Sequence, residues 1–558
     1  MPSRPFQTDP PALPAILLLL CALCVVLSSC DGGSSTSLAG STRTPAPRQV
    51  LTFPNVGAQD IAYLDPAQQP AANDPAQGPD PNSALVADML YSGLMRSDKD
   101  LNVISDQATW DISSDSRVYT FHLKPGIAFS DGTPITASTY VYTLTRALLP
   151  EVRSPVAAFL EQPIKGASDV SSGKKKTLSG VRALDDQTLQ ITLTGPTPYF
   201  LQVLTNPLFF PLNPHLIESY GQHDWVSHAV GSPIGSGPFF LKEWDHNVRM
   251  ILAPNPHYYG AKTRLTEIDM VFVNDPSTAY KEYKAGQYDF VWNIQQADLQ
   301  SAKAMPGYIS VPLLQTDLVF FNTRVPPFDN PTVRQAFAYA IDKVSLTHAL
   351  LKDSATPATT FLPPGMPGYQ QDYQGIPYDK NKAKSLLLSV YPDASLVPPV
   401  TFSYPNAQFS LGEARLLRGM WLVALGNISI QLLPTETNAY NDEVASHQVQ
   451  LGFAEWNADF PDPYNWLASN LLTNAPNNHA QWSNAAFDQL ITQAEQSSGT
   501  ARLALYNQAE QLAINDGAVL PLDHEALAAV FPSWMHGITL NGQGLYFGDW
   551  SQVYVSAH

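Results

Sequence analysis

The sequence predicts a mixed α/β protein, because strand-like and helix-like apolar patterns alternate along the chain from Val50 onward. The segments 189–193, 268–273 and 449–453 alternate apolar and polar side chains with a period of two, as half-buried strands do. Apolar residues recur at helical spacing between such segments. The chain has 558 residues, 44% of them apolar, which is enough for about three or four domains of ~150 residues.

Three helices can be placed from their end signals. Asn330 followed by Pro331 predicts a helix start, and Asn484 predicts another. A third helix is predicted over 500–515, with Gly517 ending it. The buried face of the first helix is predicted to be Val333, Phe337, Ala340 and Ile341, and that of the second Phe487, Leu490, Ile491 and Ala494.

The N-terminus has the pattern of an exported lipoprotein. The apolar run at 15–27 would cover about 20 Å as a helix, short of a bilayer core of ~30 Å, so residues 1–29 are predicted to be a signal peptide. The small residues before Cys30 resemble a lipobox, which predicts lipidation of Cys30. An ordinary secretory signal with an incidental cysteine, or an uncleaved anchor, remains an alternative. Residues 30–49, rich in Gly, Ser, Thr and Pro, are predicted to be a lipidated flexible tether.

Composition argues against several classes of function. The chain has 31 Lys and Arg against 49 Asp and Glu, a net charge of −18, so nucleic acid is not an expected partner. All three cysteines lie in the first thirty residues, which leaves the body without a disulfide framework, a Cys-based zinc site or a thiol nucleophile. The chain contains no GxGxxG, GxxxxGK[ST], GxSxG or HExxH motif. No metal or cofactor is therefore predicted.

A longer resemblance covers the chain from residue 64 to residue 460. The segment 119–137, YTFHLKPGIAFSDGTPITA, closely resembles a signature of the bacterial extracellular solute-binding proteins of family 5, which include the oligopeptide- and dipeptide-binding receptors of ABC importers. Further blocks that resemble the family, in family order, are 64–66 (LDP), 91–94 (YSGL), 181–189 (VRALDDQTL), 196–200 (PTPYF), 235–239 (GSGPF), 326–336 (PPFDNPTVRQA) and 456–460 (WNADF).

The resemblance implies a periplasmic-binding-protein fold, in which two lobes are joined by a hinge and an extra domain is added. The chain would cross between the lobes near Leu314 and again near Leu520 and Pro521, where apolar strand-like stretches suit a hinge. The three implied domains are lobe I (50–91, 214–314 and 520–558, discontinuous), domain II (92–213) and lobe III (315–519).

The resemblance also implies a function, the capture of extended peptides in a cleft between the lobes and their delivery to an ABC permease and ATPase complex. An enclosed peptide needs partners for its backbone and a counter-charge for its α-ammonium. In the family, a strand edge and an aspartate of the Trp-x-Ala-Asp block supply them. A second edge follows the Leu-Asp-Pro block, here within 67–83. The implied ligand-binding residues of the first edge and block are Ala454, Glu455, Trp456, Asn457 and Asp459.

Departures from the oligopeptide-binding pattern leave alternatives open. Val156 stands where these binders have a tyrosine near the ligand amine, and Phe453 stands where they have an arginine for ligand carboxylates. The same transport role for a sugar, a metal chelate or an opine is therefore an alternative, as is a receptor or chaperone lipoprotein without a transporter. A hydrolase could use Asp459 and Asp462, although both are equally plausible turn residues beside prolines.

The expected protein is a monomer without enzyme activity. Its only attachment to the membrane is expected to be the lipid at Cys30. This places the folded body outside the cytoplasmic membrane, in the periplasm or on the cell surface.

Overall fold

The predicted alternation of strands and helices is confirmed in the computed structural model, which describes residues 48–68, 81–155, 157–352, 354–546 and 549–557. The predicted signal peptide, Cys30 and most of the tether lie outside these residues. Val156 and most of the second predicted strand edge, at 69–80, also lie outside them. None of the described helices combines the length and the apolar character that are needed to span a bilayer.

Helices occur throughout the described part of the chain. The α-helices are α1 (Pro81–Leu90), α2 (Ala137–Ala147), α3 (Ala158–Glu161), α4 (Ala167–Ser171), α5 (Phe200–Val203), α6 (Pro214–Tyr220), α7 (Pro276–Lys284), α8 (Leu299–Lys303), α9 (Pro331–Tyr339), α10 (Lys343–Leu346), α11 (Lys380–Val390), α12 (Gln408–Leu425), α13 (Thr437–Ala445), α14 (Pro463–Leu471), α15 (Ala485–Glu495) and α16 (Gly499–Asn515).

The strands are mostly short. They are β1 (Val50–Val56), β2 (Met95–Ser97), β3 (Val103–Ser105), β4 (Ala108–Ile112), β5 (Val118–Leu123), β6 (Val181–Ala183), β7 (Thr188–Thr192), β8 (Phe239–Asp245), β9 (Arg249–Pro254), β10 (Glu267–Val273), β11 (Val291–Trp292), β12 (Tyr308–Pro312), β13 (Gln315–Phe321), β14 (Ala355–Pro357), β15 (Val400–Pro405), β16 (Ile430–Thr435), β17 (Leu451–Asn457), β18 (Leu520–Val530), β19 (Met535–His536), β20 (Thr539–Asn541), β21 (Gly544–Tyr546) and β22 (Tyr554–Val555).

The predicted helix starts are confirmed by their capping geometry. The side chain of Asn330 accepts a hydrogen bond from the backbone N–H of Thr332 at 2.9 Å, and the side chain of Asn484 accepts one from Ala486 at 3.0 Å. The predicted apolar faces are buried, apart from Leu490, which is partly buried against the core. The third helix is α16, which is followed by Gly517 at φ +64.

Three larger sheets organise the chain. One has the strand order β1-β10-β9-β8, in which β1 runs parallel to β10, and a second, antiparallel sheet has the order β4-β5-β7-β6. The largest has the order β11-β18-β13-β17-β15-β16, and β12 and β14 also pair with β18.

The long strand β18 connects two groups of partners in the largest sheet. Its first half, up to Glu525, pairs with β13 and β14, whereas its second half, 526–530, pairs with β12 and, at its end, with β11. β12 and β13 follow one another along the chain, and both pair with β18. The chain therefore crosses between the two groups of strands twice, once through β12 and β13 and once through β18.

Two separate hydrophobic cores flank this passage. The first contains buried residues of 51–91, 210–302 and 527–555, and the second contains those of 94–209 and 314–522 together with Ala67. Apart from Ala67, the core changes four times along the described chain, namely between 91 and 94, at 209–210, at 313–314 and between 522 and 527. The last two changes lie at the junction of β12 and β13 and on β18, with which both of these strands pair.

Candidate functional site

A cleft of about 550 Å³ lies where residues of the two cores meet. Its lining includes Asp88 of α1, Tyr91 just after that helix, the end of β17, and the hairpin formed by β20 and β21. Six aromatic side chains contribute to it, namely Tyr63, Tyr91, Phe210, Tyr258, Trp292 and Trp550. The volume and the apolar lining are typical of a site for a small organic molecule.

The charged side chains of the cleft are mostly acidic. The lining contains one basic side chain, Arg96, and five carboxylates, namely Asp88, Asp106, Glu455, Asp459 and Asp549. Within the described residues, none of these five carboxylates forms a salt bridge with Lys, Arg or His. An excess of negative charge in a cleft with low-dielectric walls attracts cations. The cleft is therefore suited to a ligand that carries positive charge.

Asp459, the predicted partner of a ligand amine, lines this cleft. Its Oδ2 accepts a hydrogen bond from Asn465 Nδ2 at 2.7 Å, and its backbone N–H donates to Asn465 Oδ1 at 3.0 Å. Burial raises the pKa of Asp459 to about 6, although the bond from Asn465 acts in the opposite direction. Because the ionised carboxylate has lost the stabilisation that water gives, a bound cation would stabilise it strongly.

The strand β17 presents its side chains to two different cavities. Glu455 and Asn457 line the cleft, and Asn457 Nδ2 donates a hydrogen bond to Glu455 Oε1 at 2.5 Å. The side chains of Ala454 and Trp456 are not among the residues that line the cleft. They line a separate void of about 30 Å³, to which Glu455 also contributes. Trp456 is buried, so the structure does not bring the predicted apolar wall to the ligand side of the strand.

One edge of β17 lacks a strand partner. β13 pairs with the whole strand, whereas β15 pairs with it only at Leu451 and Gly452. Within the described residues, the backbone from Ala454 to Asn457 therefore has a strand on one side only. An exposed edge of this kind can pair with the backbone of an extended peptide regardless of its sequence.

Three carboxylates of the cleft, Asp88, Asp106 and Asp549, were not predicted from the sequence. Burial, together with the negative charge of Asp106, raises the pKa of Asp88 to about 7. Asp106 accepts a hydrogen bond from the Tyr259 hydroxyl, and burial raises its pKa although Arg96 and Lys124 act in the opposite direction. None of these three aspartates lies in a segment whose pattern marks a site, so no sequence signal would have found them.

Asn541 supplies an unused donor to the cleft. This side chain is 4% exposed, and its Nδ2 has no hydrogen-bond partner within the described residues, whereas its Oδ1 accepts from the backbone N–H of Gln543 at 2.9 Å. A buried amide nitrogen without a partner is costly. A carbonyl oxygen of a bound ligand would satisfy it.

Asp462 was considered with Asp459 as a candidate for acid–base chemistry, but its contacts give it a structural role. It is buried, and both of its oxygens accept hydrogen bonds from the Arg502 guanidinium, at 2.6 and 2.7 Å. Oδ1 also accepts the backbone N–H of Tyr464 and so caps α14. A carboxylate held in this way is not available as an acid or base.

Two further predicted residues can be placed. Phe453 packs against Phe402, with ring centroids 4.8 Å apart, and is not among the residues that line the cleft. Among the residues that the structure describes, no group of three or more His, Cys, Asp or Glu side chains is arranged to hold a metal ion.

Comparison with known proteins identifies relatives along almost the whole chain. Residues 106–478 match the family described as bacterial extracellular solute-binding proteins, family 5 Middle. The chain is 31% identical over 526 residues to the probable deoxycholate-binding periplasmic protein YgiS of Escherichia coli (strain K12), covering 92% of this chain and 95% of that protein. It is 28% identical over 549 residues to the oligopeptide-binding protein OppA of Bacillus subtilis (strain 168), covering 96% and 98%.

The fold also matches solved structures. The periplasmic murein tripeptide-binding protein MppA, in its unliganded open form, superimposes with a TM-score of 0.78 at 27% sequence identity. The match covers 93% of this chain and 99% of that chain. The periplasmic-binding-protein fold predicted from the sequence is thus confirmed.

Proposed function

Because this chain belongs to the bacterial extracellular solute-binding proteins of family 5, we propose that it is the substrate-binding component of an ABC importer. It captures extended peptides in its cleft and delivers them to a membrane permease that is driven by an ATPase. Named relatives include the oligopeptide-binding OppA and the dipeptide-binding DppE of Bacillus subtilis (strain 168).

The position of Asp459 is the observation that carries this proposal. Its carboxylate lies in the cleft without a salt bridge among the described residues, and Asn465 fixes its orientation. The α-ammonium of a peptide is a cation that needs such a partner once water has been excluded. Asp459 is therefore the proposed anchor of the ligand's amino terminus.

The ligand backbone has partners nearby. The free edge of β17 from Ala454 to Asn457 can form backbone hydrogen bonds with an extended chain. Asn541 Nδ2 can donate to a ligand carbonyl. In this proposal Ala454 and Trp456 act through their backbones, whereas Glu455 and Asn457 also present side chains to the cleft.

We also propose that the two cores move toward one another when a ligand binds. Leu313 packs against the first core and Leu314 belongs to the second, and on β18 Leu522 belongs to the second core while Leu527 belongs to the first. Two of the four connections between the cores are formed by neighbouring strands, which are suited to a hinge. The proposed second crossing lies at 522–527, a few residues beyond Leu520 and Pro521.

We also propose where the protein acts and in what form. The chain is lipidated at Cys30, acts as a monomer outside the cytoplasmic membrane, and presents its closed form to the permease. It has no catalytic role of its own; the family consists of binding proteins, and the pairing of Asp462 with Arg502 speaks against the hydrolase alternative.

A bile acid is a second candidate ligand, because one relative is named as a probable deoxycholate-binding protein. The aromatic lining would suit a steroid ring system. Such a ligand carries a carboxylate, however, and the cleft has five carboxylates against one arginine. Like charges in a desolvated cleft disfavour binding, so we favour a peptide with a free amine.

Native mass spectrometry of the full-length protein, purified from its own cells, tests the proposal. We expect masses of short peptides to accompany the protein and to disappear when the cleft is emptied by partial unfolding and refolding. Recovery of only a sugar, a metal chelate or a bile acid would overturn the assignment to peptides.

A further inference from the structure

Four carboxylates lie together on three adjacent strands at one side of the cleft. Asp317 on β13 is directly opposite Glu455 on β17 and also directly opposite Asp523 on β18. Glu525 follows two residues later on β18, and therefore on the same face of that strand. We call Glu455, Asp317, Asp523 and Glu525 the carboxylate row.

The row carries an electrostatic cost that Lys343 and Gln315 offset only in part. Like charges directly opposite one another on neighbouring strands destabilise a sheet. Burial and mutual repulsion raise the pKa of Asp523 and of Glu525 to about 7, and they raise the pKa of Asp317 well above its usual range. The nearby cation Lys343 donates its hydrogen bond to the backbone oxygen of Ala358 at 2.7 Å.

One oxygen in the row is left without a partner. Asp523 is 1% exposed, and its Oδ1 has no hydrogen bond within the described residues. A buried carboxylate oxygen without a donor is an expensive arrangement. It is the kind of group that an incoming cation with N–H donors would satisfy.

The row opens into the cleft at one end. Glu455 lines the cleft, together with Gln315 and Asn457, which face one another on β13 and β17. Gln315 Nε2 donates to Asp317 Oδ1 at 3.3 Å, and Asn457 Nδ2 donates to Glu455. Glu455 is therefore the member of the row that a ligand side chain in the cleft meets first, and the two amides beside it each donate a hydrogen bond to the row.

Resting on the proposed function, we propose that the carboxylate row is a subsite for a basic side chain of the bound peptide. Its occupant is the ammonium of a lysine or the guanidinium of an arginine. A long aliphatic stem with a terminal cation can reach from a peptide in the cleft to Glu455 and Asp317, with its N–H groups donating to several carboxylate oxygens. The protein thus selects peptides by charge at a second point, separate from the anchor at Asp459.

A matched pair of peptides tests this subsite. Ala-Lys-Ala and Ala-norleucine-Ala have the same backbone and nearly the same stem, but only the first carries a side-chain cation. By titration calorimetry on the full-length protein, we expect the lysine peptide to bind about tenfold more tightly or better. In Asp317→Asn and in Glu525→Gln this ratio should fall toward one.

Two control variants separate the subsite from general effects. Asp442→Asn removes one negative charge from the exposed surface of α13 and should leave the ratio as it is. Asp459→Asn should weaken both peptides by a similar factor, so that the ratio is kept. Equal binding of the two peptides to the wild-type protein, or a ratio that survives both Asp317→Asn and Glu525→Gln, would overturn the subsite.

The experiment also distinguishes a wrong subsite from a wrong assignment to peptides. If neither peptide binds, the peptide assignment is overturned, and the subsite is then decided with n-butylammonium as the probe. A rise in melting temperature with n-butylammonium but not with n-butanol, lost in Asp317→Asn, supports a cation subsite. The absence of that rise overturns it.

Discussion

Asp459 and Asn465 hold one another through two hydrogen bonds, one from the Asn465 amide to the Asp459 carboxylate at 2.7 Å and one from the Asp459 backbone to the Asn465 carbonyl at 3.0 Å. Asn465 is buried on α14, whose start is capped by Asp462. The carboxylate that faces the cleft is therefore oriented by a helix of the second core. Its geometry is set before any ligand arrives.

Replacement of Asn465 should weaken ligand binding without removing the anchor. In Asn465→Leu the Asp459 carboxylate loses a donor that lowers its pKa, so less of it is ionised at neutral pH. We expect the affinity for a peptide with a free amine to fall about three- to tenfold, the value of one hydrogen bond. Calorimetry at pH 7 measures it, with circular dichroism to verify the fold. Unchanged affinity would mean that Asn465 does not position the carboxylate.

Binding of free-amine peptides should depend on pH through Asp459. Burial raises its pKa to about 6, and only the ionised form attracts an ammonium. The affinity should therefore be constant above pH 7 and fall by up to about tenfold per pH unit below 6. An N-acetylated peptide should lack this midpoint, and Asn465→Leu should move it to higher pH. A flat profile for the free-amine peptide would argue against the role of Asp459.

Loss of Asp462 should cost stability. The substitution Asp462→Asn leaves the Arg502 guanidinium without its carboxylate partner, and breaking a buried pair in this way costs about 3–5 kcal/mol. Urea unfolding of the two proteins measures the difference. The double variant Asp462→Leu with Arg502→Leu, which removes both charges, should recover part of the loss. A single variant as stable as the wild type would contradict the structural role.

The protein without ligand should be more stable at pH 6.5 than at pH 8. Burial raises the pKa of Asp523 and Glu525 to about 7 and that of Glu413 to about 8. These groups bind more protons in the folded than in the unfolded chain, so stability is lost as the pH rises through those values. Burial lowers the pKa of His479 to about 4 and of His524 to about 3, which affects stability only below about pH 6.5.

The size of this effect can be checked with one variant. Burial lowers the pKa of Lys343 to about 7, so this residue makes the folded protein more stable as the pH rises. The several carboxyl groups with raised pKa values have the opposite effect and outweigh this single lysine. We expect a difference in unfolding free energy on the order of 2 kcal/mol between the two pH values. Glu413→Gln should reduce the difference and raise stability at pH 8. Greater stability at pH 8 than at pH 6.5 would contradict the raised pKa values.

Local signals in the sequence predicted individual elements well. The caps Asn330 and Asn484 act within two or three residues, so the helices that follow them begin where expected. The strand predicted at 449–453 is displaced to Leu451–Asn457. The side chain of Gln450, just before the strand, accepts from the backbone N–H of Thr401 on β15 and donates to the Pro326 carbonyl, both at 2.7 Å.

The site could be predicted only where a known motif marks it. Asp459 lies in a block that resembles the family, and the structure places it in the cleft. Trp456 in the same block lines a different cavity, because neighbouring residues of a strand point to opposite faces. Asp317 and Asp523 are directly opposite one another although they are about two hundred positions apart in the sequence. No local sequence pattern predicts a contact between residues so far apart.

A double-mutant cycle tests most directly whether Asp459 binds the α-ammonium of a peptide. The full-length wild type and Asp459→Asn would each be titrated with one tripeptide and with its N-acetylated form. We predict that acetylation weakens binding to the wild type by about a hundredfold, within the range for a buried charge pair, and has little further effect in Asp459→Asn. Equal affinity of the wild type for the free and the acetylated peptide would contradict this role of Asp459.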